Sequence, residues 1–112
     1  MAKIVVAEEN LLQFDNGVQI TADHDQDCCE WNYADFAQLD SLARAYNFNT
    51  SKLRFEKTDD GSGFRFGDCA ERMFFVPCYS EQNGYYSNDL QVYLMGISEP
   101  VLDLDDIPIN YC

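Results

Sequence analysis

The amino-acid sequence predicts an α+β fold, a mainly antiparallel β-sheet built from three hairpins with one amphipathic helix packed on one face. Two observations lead to this prediction. Short apolar segments come in pairs separated by turn-forming residues, and one segment between the first two pairs has apolar residues at helical spacing. The 112 residues suit one domain, residues 1–112, because half that length is too short for an independent core.

The first two hairpins are predicted from their turns. Leu11–Phe14 and residues 18–22 flank Asp15-Asn16-Gly17, and an Asn-Gly pair readily supplies the positive φ angles of a tight turn. Residues 52–57 and 64–66 flank a second turn, Asp59-Asp60-Gly61-Ser62-Gly63. Leu53 and Phe55 alternate there with charged residues, which indicates one buried and one solvated face.

A third hairpin is predicted from residues 73–80 and 86–95, which flank Gln82-Asn83-Gly84. The apolar run Met73-Phe74-Phe75-Val76 is typical of a central strand covered on both sides. The tail, residues 98–112, has two prolines and an alternating apolar pattern. We expect a peripheral strand or an extended segment there.

Residues 35–46 are predicted to form the helix. Their apolar side chains recur every three or four positions, as in one stripe of a helix: Phe36, Leu39, Leu42, Ala43 and Tyr46. Asn32 is the expected cap, with Asp35 in the first turn. We expect the stripe to pack on the predicted sheet, against Leu53, Phe55, Val92 and Leu94.

The charge excludes some partners and favours others. Twenty acidic residues against seven basic ones give a formal net charge of −13, which repels phosphate backbones and anionic membranes. Direct binding to nucleic acid or to a membrane is therefore disfavoured. A protein partner with a basic surface fits this charge, although the same charge also serves solubility. The sequence leaves the oligomeric state open.

The first nine residues do not resemble an export signal, since only four apolar residues precede two acids. No apolar run approaches the roughly 18–20 residues of a membrane span. We therefore expect a cytoplasmic protein. The five cysteines are an odd number, which favours free thiols in a reducing compartment.

The densest polar cluster, residues 23–30, contains the only histidine and two of the five cysteines. We predict a binding surface there, formed by His24, Asp25, Gln26, Asp27 and Glu30. Imidazole and thiolates are also zinc ligands. The alternative is therefore a metal site with zinc as its cofactor, built on His24, Cys28, Cys29 and Cys78.

Two other interpretations of this cluster stay open. Adjacent cysteines in extended backbone point to opposite faces, which argues against one ion shared by Cys28 and Cys29. The cluster then is a hydrogen-bonded loop with a buried thiol. The second is a reactive thiol, Cys28 or Cys29, with His24 as its base. The acids at 23, 25 and 27 resemble the start of a calcium-binding loop, but the glycine required at the sixth position of such a loop is missing, so we attribute this resemblance to chance.

A second polar cluster surrounds the predicted third turn. Gln82, Asn83, Tyr85 and Tyr86 are candidate binding residues, because tyrosine offers a large contact area at low entropic cost. In the competing interpretation, one tyrosine of each pair packs inward and the amides cap the turn. No set of residues indicates catalysis clearly, so the sequence favours a binding protein over an enzyme.

Two motifs resemble those of a family of small uncharacterised proteins from gut-type bacteria and their phages. They are HDQDCCE at residues 24–30 and PCYSEQNGYYSNDL at residues 77–90. The resemblance implies an accessory factor of a phage or mobile element. It implies no catalytic residues.

Overall fold

The computed structural model describes residues 1–23, 31–82, 89–105 and 107–111. Within these ranges, ten strands form two five-stranded sheets. In chain order the strands are β1 (Ile4–Glu8), β2 (Leu11–Phe14), β3 (Gln19–Asp23), β4 (Trp31–Ala34), β5 (Arg54–Lys57), β6 (Gly63–Cys69), β7 (Arg72–Gln82), β8 (Leu90–Leu94), β9 (Leu102–Leu104) and β10 (Ile109–Tyr111). The helical elements are two 3₁₀ turns, Phe36–Gln38 and Thr50–Lys52, and one short helix, α1 (Ser41–Ala45).

Both sheets are mostly antiparallel, which confirms the predicted α+β, mainly β fold class. The first sheet has the order β1-β2-β3-β8-β9. In the second sheet β5, β6 and β7 follow one another, β4 pairs antiparallel with the last part of β7, and β10 pairs parallel with it. The hairpins β2–β3 and β5–β6 are confirmed, and Gly17 adopts the positive φ, 90°, that the first turn requires.

The third predicted hairpin is wrong, because β7 and β8 lie in different sheets. The physical reason is that β7 already has neighbours along its length: β6 from Arg72 to Pro77, and β4 and β10 beyond that point. Strand β8 pairs instead with β3 and β9. The central position of β7 within its sheet is confirmed, but Phe75 is 42% exposed, so the strand is not covered on both faces. The tail supplies an edge strand, β9, as expected.

The helix predicted over residues 35–46 is also wrong in extent. It divides into the first 3₁₀ turn and α1, separated at Leu39, whose ψ of 139° is not helical. The Asp35 and Asp40 carboxylates each accept a backbone N–H bond and so begin a new helical turn. Leu42, at 71% exposure, does not join the buried stripe. Asn32 is no cap: it lies buried in β4.

A cluster of aromatic rings joins the two sheets. The Phe48 ring lies 5.3 Å from that of Phe14 in the first sheet and 5.6 Å from that of Phe66 in the second. All three are fully buried, and each such side chain stabilises the fold by about 1.5–3 kcal/mol. The first 3₁₀ turn and α1, which replace the predicted helix, pack mainly on β1 and β7. The predicted packing partners of that helix, Leu53, Phe55, Val92 and Leu94, lie on other elements or between them. No helix in the described ranges has the length and apolar character needed to cross a membrane.

Candidate functional site

Most residues of the two predicted polar clusters lie outside the described residues. These are His24, Asp25, Gln26, Asp27, Cys28, Cys29 and Glu30 of the first cluster, and Asn83, Tyr85 and Tyr86 of the second. Cys78 and Gln82 are described, and both are buried on β7. The strand ends that flank each cluster are described.

The flanking strand ends of the two clusters are neighbours. Asp23, the first residue of the first cluster, is the register partner of Gln91, just beyond the second. Trp31, the first residue after the first cluster, is the register partner of Glu81, just before the second. Paired strands lie about 4.8 Å apart. The strand ends that flank both clusters therefore meet at one end of the molecule.

A chain of buried polar side chains ties these strand ends together. The Ser80 hydroxyl donates to Oδ1 of Asn32, and Nε2 of Gln82 donates to the Ser80 hydroxyl over 2.6 Å. Nδ2 of Asn32 donates to the backbone carbonyl of Asp89 over 2.9 Å. Asn32, Ser80 and Gln82 are each fully buried. Gln82, predicted as a binding residue, has its amide nitrogen in this internal network.

Cys78 points into the core on the same face of β7. Burial raises the pKa of its thiol to about 12. In the described part of the chain, no group of three histidine, cysteine, aspartate or glutamate side chains is arranged to hold a metal ion. The zinc prediction for His24, Cys28 and Cys29 concerns residues outside that part and stays a prediction.

The opposite face of β4 and β7 carries a surface that we call the aromatic–acidic face: Trp31, Tyr33, Tyr79, Glu9 and Glu81. Side chains alternate across a strand, so Asn32 and Ala34 lie on the interior face while Trp31 and Tyr33 share the other face, where Trp31 is exposed and Tyr33 is buried. The Tyr33 ring lies 6.3 Å from the Trp31 ring and 5.6 Å from the Tyr79 ring. Trp31 remains 42% exposed.

Carboxylates lie on both sides of this aromatic row. The Trp31 indole N–H donates to Glu9 over 3.2 Å, and the Tyr33 hydroxyl donates to Glu81 over 3.2 Å. The backbone bridge between Glu9 and Asp35 places the β1–β2 turn along β4, on the side away from β7. Acidic groups therefore flank the aromatic rings from β7, from the β1–β2 turn and from the residue that follows β4.

The pKa of Tyr33 reflects the negative charge around its hydroxyl. Its pKa is raised to about 12, first by burial, and then by the charge and hydrogen bond of Glu81 and by the charges of Glu9 and Asp35. A negative field over aromatic rings suits a cation, because ring faces attract cations and carboxylates hydrogen-bond them. The arrangement is suited to recognising a basic side chain.

Sequence reasoning missed this surface because it assigned residues 31–34 to the approach of a helix. The available signal was the alternation Trp31-Asn32-Tyr33-Ala34, which has the period of a strand. The contribution of Glu9 depends on chain segments that are distant in sequence. That contribution has no local signal.

Comparisons with family models, with curated proteins and with solved structures find no match to the chain.

Proposed function

We propose that this chain is a small acidic binding protein of the cytoplasm that recognises a protein partner with a basic surface. The observation that carries the proposal is the aromatic–acidic face, where an exposed tryptophan and two tyrosines lie between carboxylates. The net charge of −13 extends this local complementarity to the whole molecule and accelerates encounter with a basic partner. The motif resemblance supports a role as a phage or mobile-element accessory factor.

The two polar clusters are included in the same proposal because residues that border them belong to the aromatic–acidic face. Trp31 and Glu81 belong to the aromatic–acidic face and also border the two clusters. His24, Asp25, Gln26, Asp27 and Glu30, together with Asn83, Tyr85 and Tyr86, are therefore proposed to extend the contact surface. Aromatic residues are enriched in protein interfaces, which fits the row of rings at its centre.

Site-specific photocrosslinking tests the proposal. A photoreactive phenylalanine analogue replaces Tyr79 on the aromatic–acidic face or, as a matched control, Tyr93, a similarly half-buried tyrosine on β8 in the other sheet. In an extract of the source cells we expect basic proteins to crosslink at position 79 and not at position 93. Raising salt from low to molar concentration should abolish the adducts, because the charges are exposed and screened. Equal crosslinking at both positions, or adducts that persist in molar salt, would contradict the proposal.

A zinc or reactive-thiol site on His24, Cys28 and Cys29 is the second candidate function. One observation favours it: Tyr111 of β10 is the register partner of Gln82, so the chain reaches this end of the molecule just before its fifth cysteine, Cys112. Metal analysis of tag-free protein tests this, with zinc expected at one equivalent, lost on Cys28→Ser and retained on Cys69→Ser. Metal-free protein from zinc-supplemented cells would remove the zinc site.

A reactive thiol at the same place predicts rapid alkylation of Cys28 or Cys29 at neutral pH, slowed by His24→Ala. Uniformly slow alkylation of the native protein would remove that version.

A further inference from the structure

The Trp31 ring is held in a defined orientation at the surface. Its indole N–H donates to Oε2 of Glu9, on the turn after β1, and its ring lies beside that of Tyr33. These two contacts fix the ring while 42% of the side chain stays exposed. An exposed and oriented tryptophan is the best aromatic platform for a cation.

Glu81 lies directly across from this ring. It is the register partner of Trp31 on β7, and side chains of directly opposed residues have Cβ atoms about 4.5–5.5 Å apart. A carboxylate has roughly four acceptor positions, of which the Tyr33 hydroxyl takes one. Glu81 is exposed, and its remaining acceptor positions are available to a donor seated on Trp31.

Within residues 1–23, 31–82, 89–105 and 107–111, no basic side chain occupies this site. Arg65 pairs with Glu56 over 3.8 Å on the β5–β6 hairpin, and, among the described residues, no lysine or arginine pairs with Glu9 or Glu81. The exposed acidic groups of this face are thus open to a basic side chain of a partner molecule.

We propose that the aromatic–acidic face binds an arginine side chain of the partner, with its guanidinium stacked on Trp31 and hydrogen-bonded to Glu81. Arginine fits better than lysine for geometric reasons. The guanidinium is planar and weakly hydrated, stacks on aromatic faces and presents a fork of donors to a carboxylate, whereas the lysine ammonium is a strongly hydrated point charge. This inference rests on the proposed function and specifies the chemical group that the partner must present.

Three capped peptides test the assignment: Gly-Arg-Gly-Arg-Gly, the same peptide with lysine, and the same peptide with citrulline. Citrulline keeps the planar shape but is neutral. Because the chain has one tryptophan, the single indole N–H resonance in an NMR titration reports the site directly. We expect the arginine peptide to bind at least fivefold more tightly than the lysine peptide, and the citrulline peptide to cause no saturable shift.

Variants locate the binding on the protein. Glu81→Gln and Trp31→Phe, followed through backbone amide resonances of β4 and β7, should each weaken the arginine peptide about fivefold, which corresponds to about 1 kcal/mol per contact. The matched controls are Glu71→Gln, an exposed acid in the β6–β7 turn, and Phe75→Ala, an aromatic residue of equal exposure farther along β7. Both controls should leave the affinity unchanged.

Two outcomes would overturn the arginine assignment: equal affinity for the arginine and lysine peptides, or unchanged affinity in both Glu81→Gln and Trp31→Phe. If a basic protein still crosslinks at position 79 in that case, the proposed function stands and only the arginine assignment fails. If the crosslink is absent as well, both fail.

Discussion

Replacing Asn32 with alanine should strongly destabilise the fold. The Asn32 amide links three chain segments, since it accepts from the Ser80 hydroxyl on β7 and donates to the Asp89 carbonyl just before β8. In Asn32→Ala the fully buried Ser80 hydroxyl loses its acceptor, and the carbonyl of the partly buried Asp89 loses a donor. A buried polar group left without its partner costs about 1–3 kcal/mol. The two losses together predict a decrease of about 2–5 kcal/mol in the free energy of unfolding.

A double-mutant cycle isolates the bond between Asn32 and Ser80. Ser80→Ala alone removes the donor to Asn32 and also the acceptor of the Gln82 amide. The double variant should lose less than the sum of the two single variants, by about 1 kcal/mol, because the shared bond is broken in each. Chemical denaturation, with stability taken from the midpoint and slope, measures all four proteins.

Gln91→Ala is the matched control. Gln91 also has an amide side chain, which donates to Asp89 and to Asp103 over 3.0 and 2.9 Å, but at a partly exposed position. Water can replace those bonds, so the loss should stay below about 1 kcal/mol. If Asn32→Ala costs no more than this control, or if the cycle is additive, the buried network does not hold the strand ends together.

Three further predictions test other parts of the structure. The pKa of Tyr33 is about 12, above that of an unfolded tyrosine, so the stability that its proton confers is complete below about pH 10 and is lost as the pH rises through about 12. Denaturation across this pH range should show a smaller loss of stability for Tyr33→Phe than for the unmodified protein. An equal loss in both would contradict the assignment. The Cys78 thiol, with its pKa raised to about 12, should resist iodoacetamide in native protein while the half-buried Cys69 reacts. Mass spectrometry of the labelled peptides measures both reactions, and equal labelling would be inconsistent with the burial of Cys78. Gly63→Ala should lower the free energy of unfolding by several kcal/mol, on the order of the loss in an overpacked core, because the new Cβ would lie 2.1 Å from the Val76 carbonyl oxygen. Unchanged thermal stability would show that β6 and β7 do not approach as closely as described.

The parts of the fold that the sequence predicts correctly are those fixed by local chemistry. The Asn16-Gly17 turn determines its hairpin, because the positive φ and the Asn16 side chain, which accepts the Val18 N–H bond, are local properties. The interruption of the predicted helix also has a local signal, because Asp35 and Asp40 each cap a new helical turn. The spacing of the apolar residues does not contain that signal.

The parts that could not be predicted depend on contacts between distant segments. A glycine-containing turn after residue 82 suggests a hairpin, but whether β8 pairs with β7 depends on whether β4, β6 and β10 already occupy it. The aromatic–acidic face has the same origin, since Glu9, Trp31 and Glu81 come from three separate strands or turns. Residue types along the chain do not determine which of them meet.

The account depends on the outer face of β4 and β7 being the surface that contacts the partner. Hydrogen–deuterium exchange of the chain, free and in complex with the basic protein that crosslinks at position 79, tests this directly. We expect slower exchange confined to Trp31–Ala34 and to the end of β7, with residues 19–23 of the other sheet unchanged. Slower exchange on β3 and β8 with none on β4 would contradict the account.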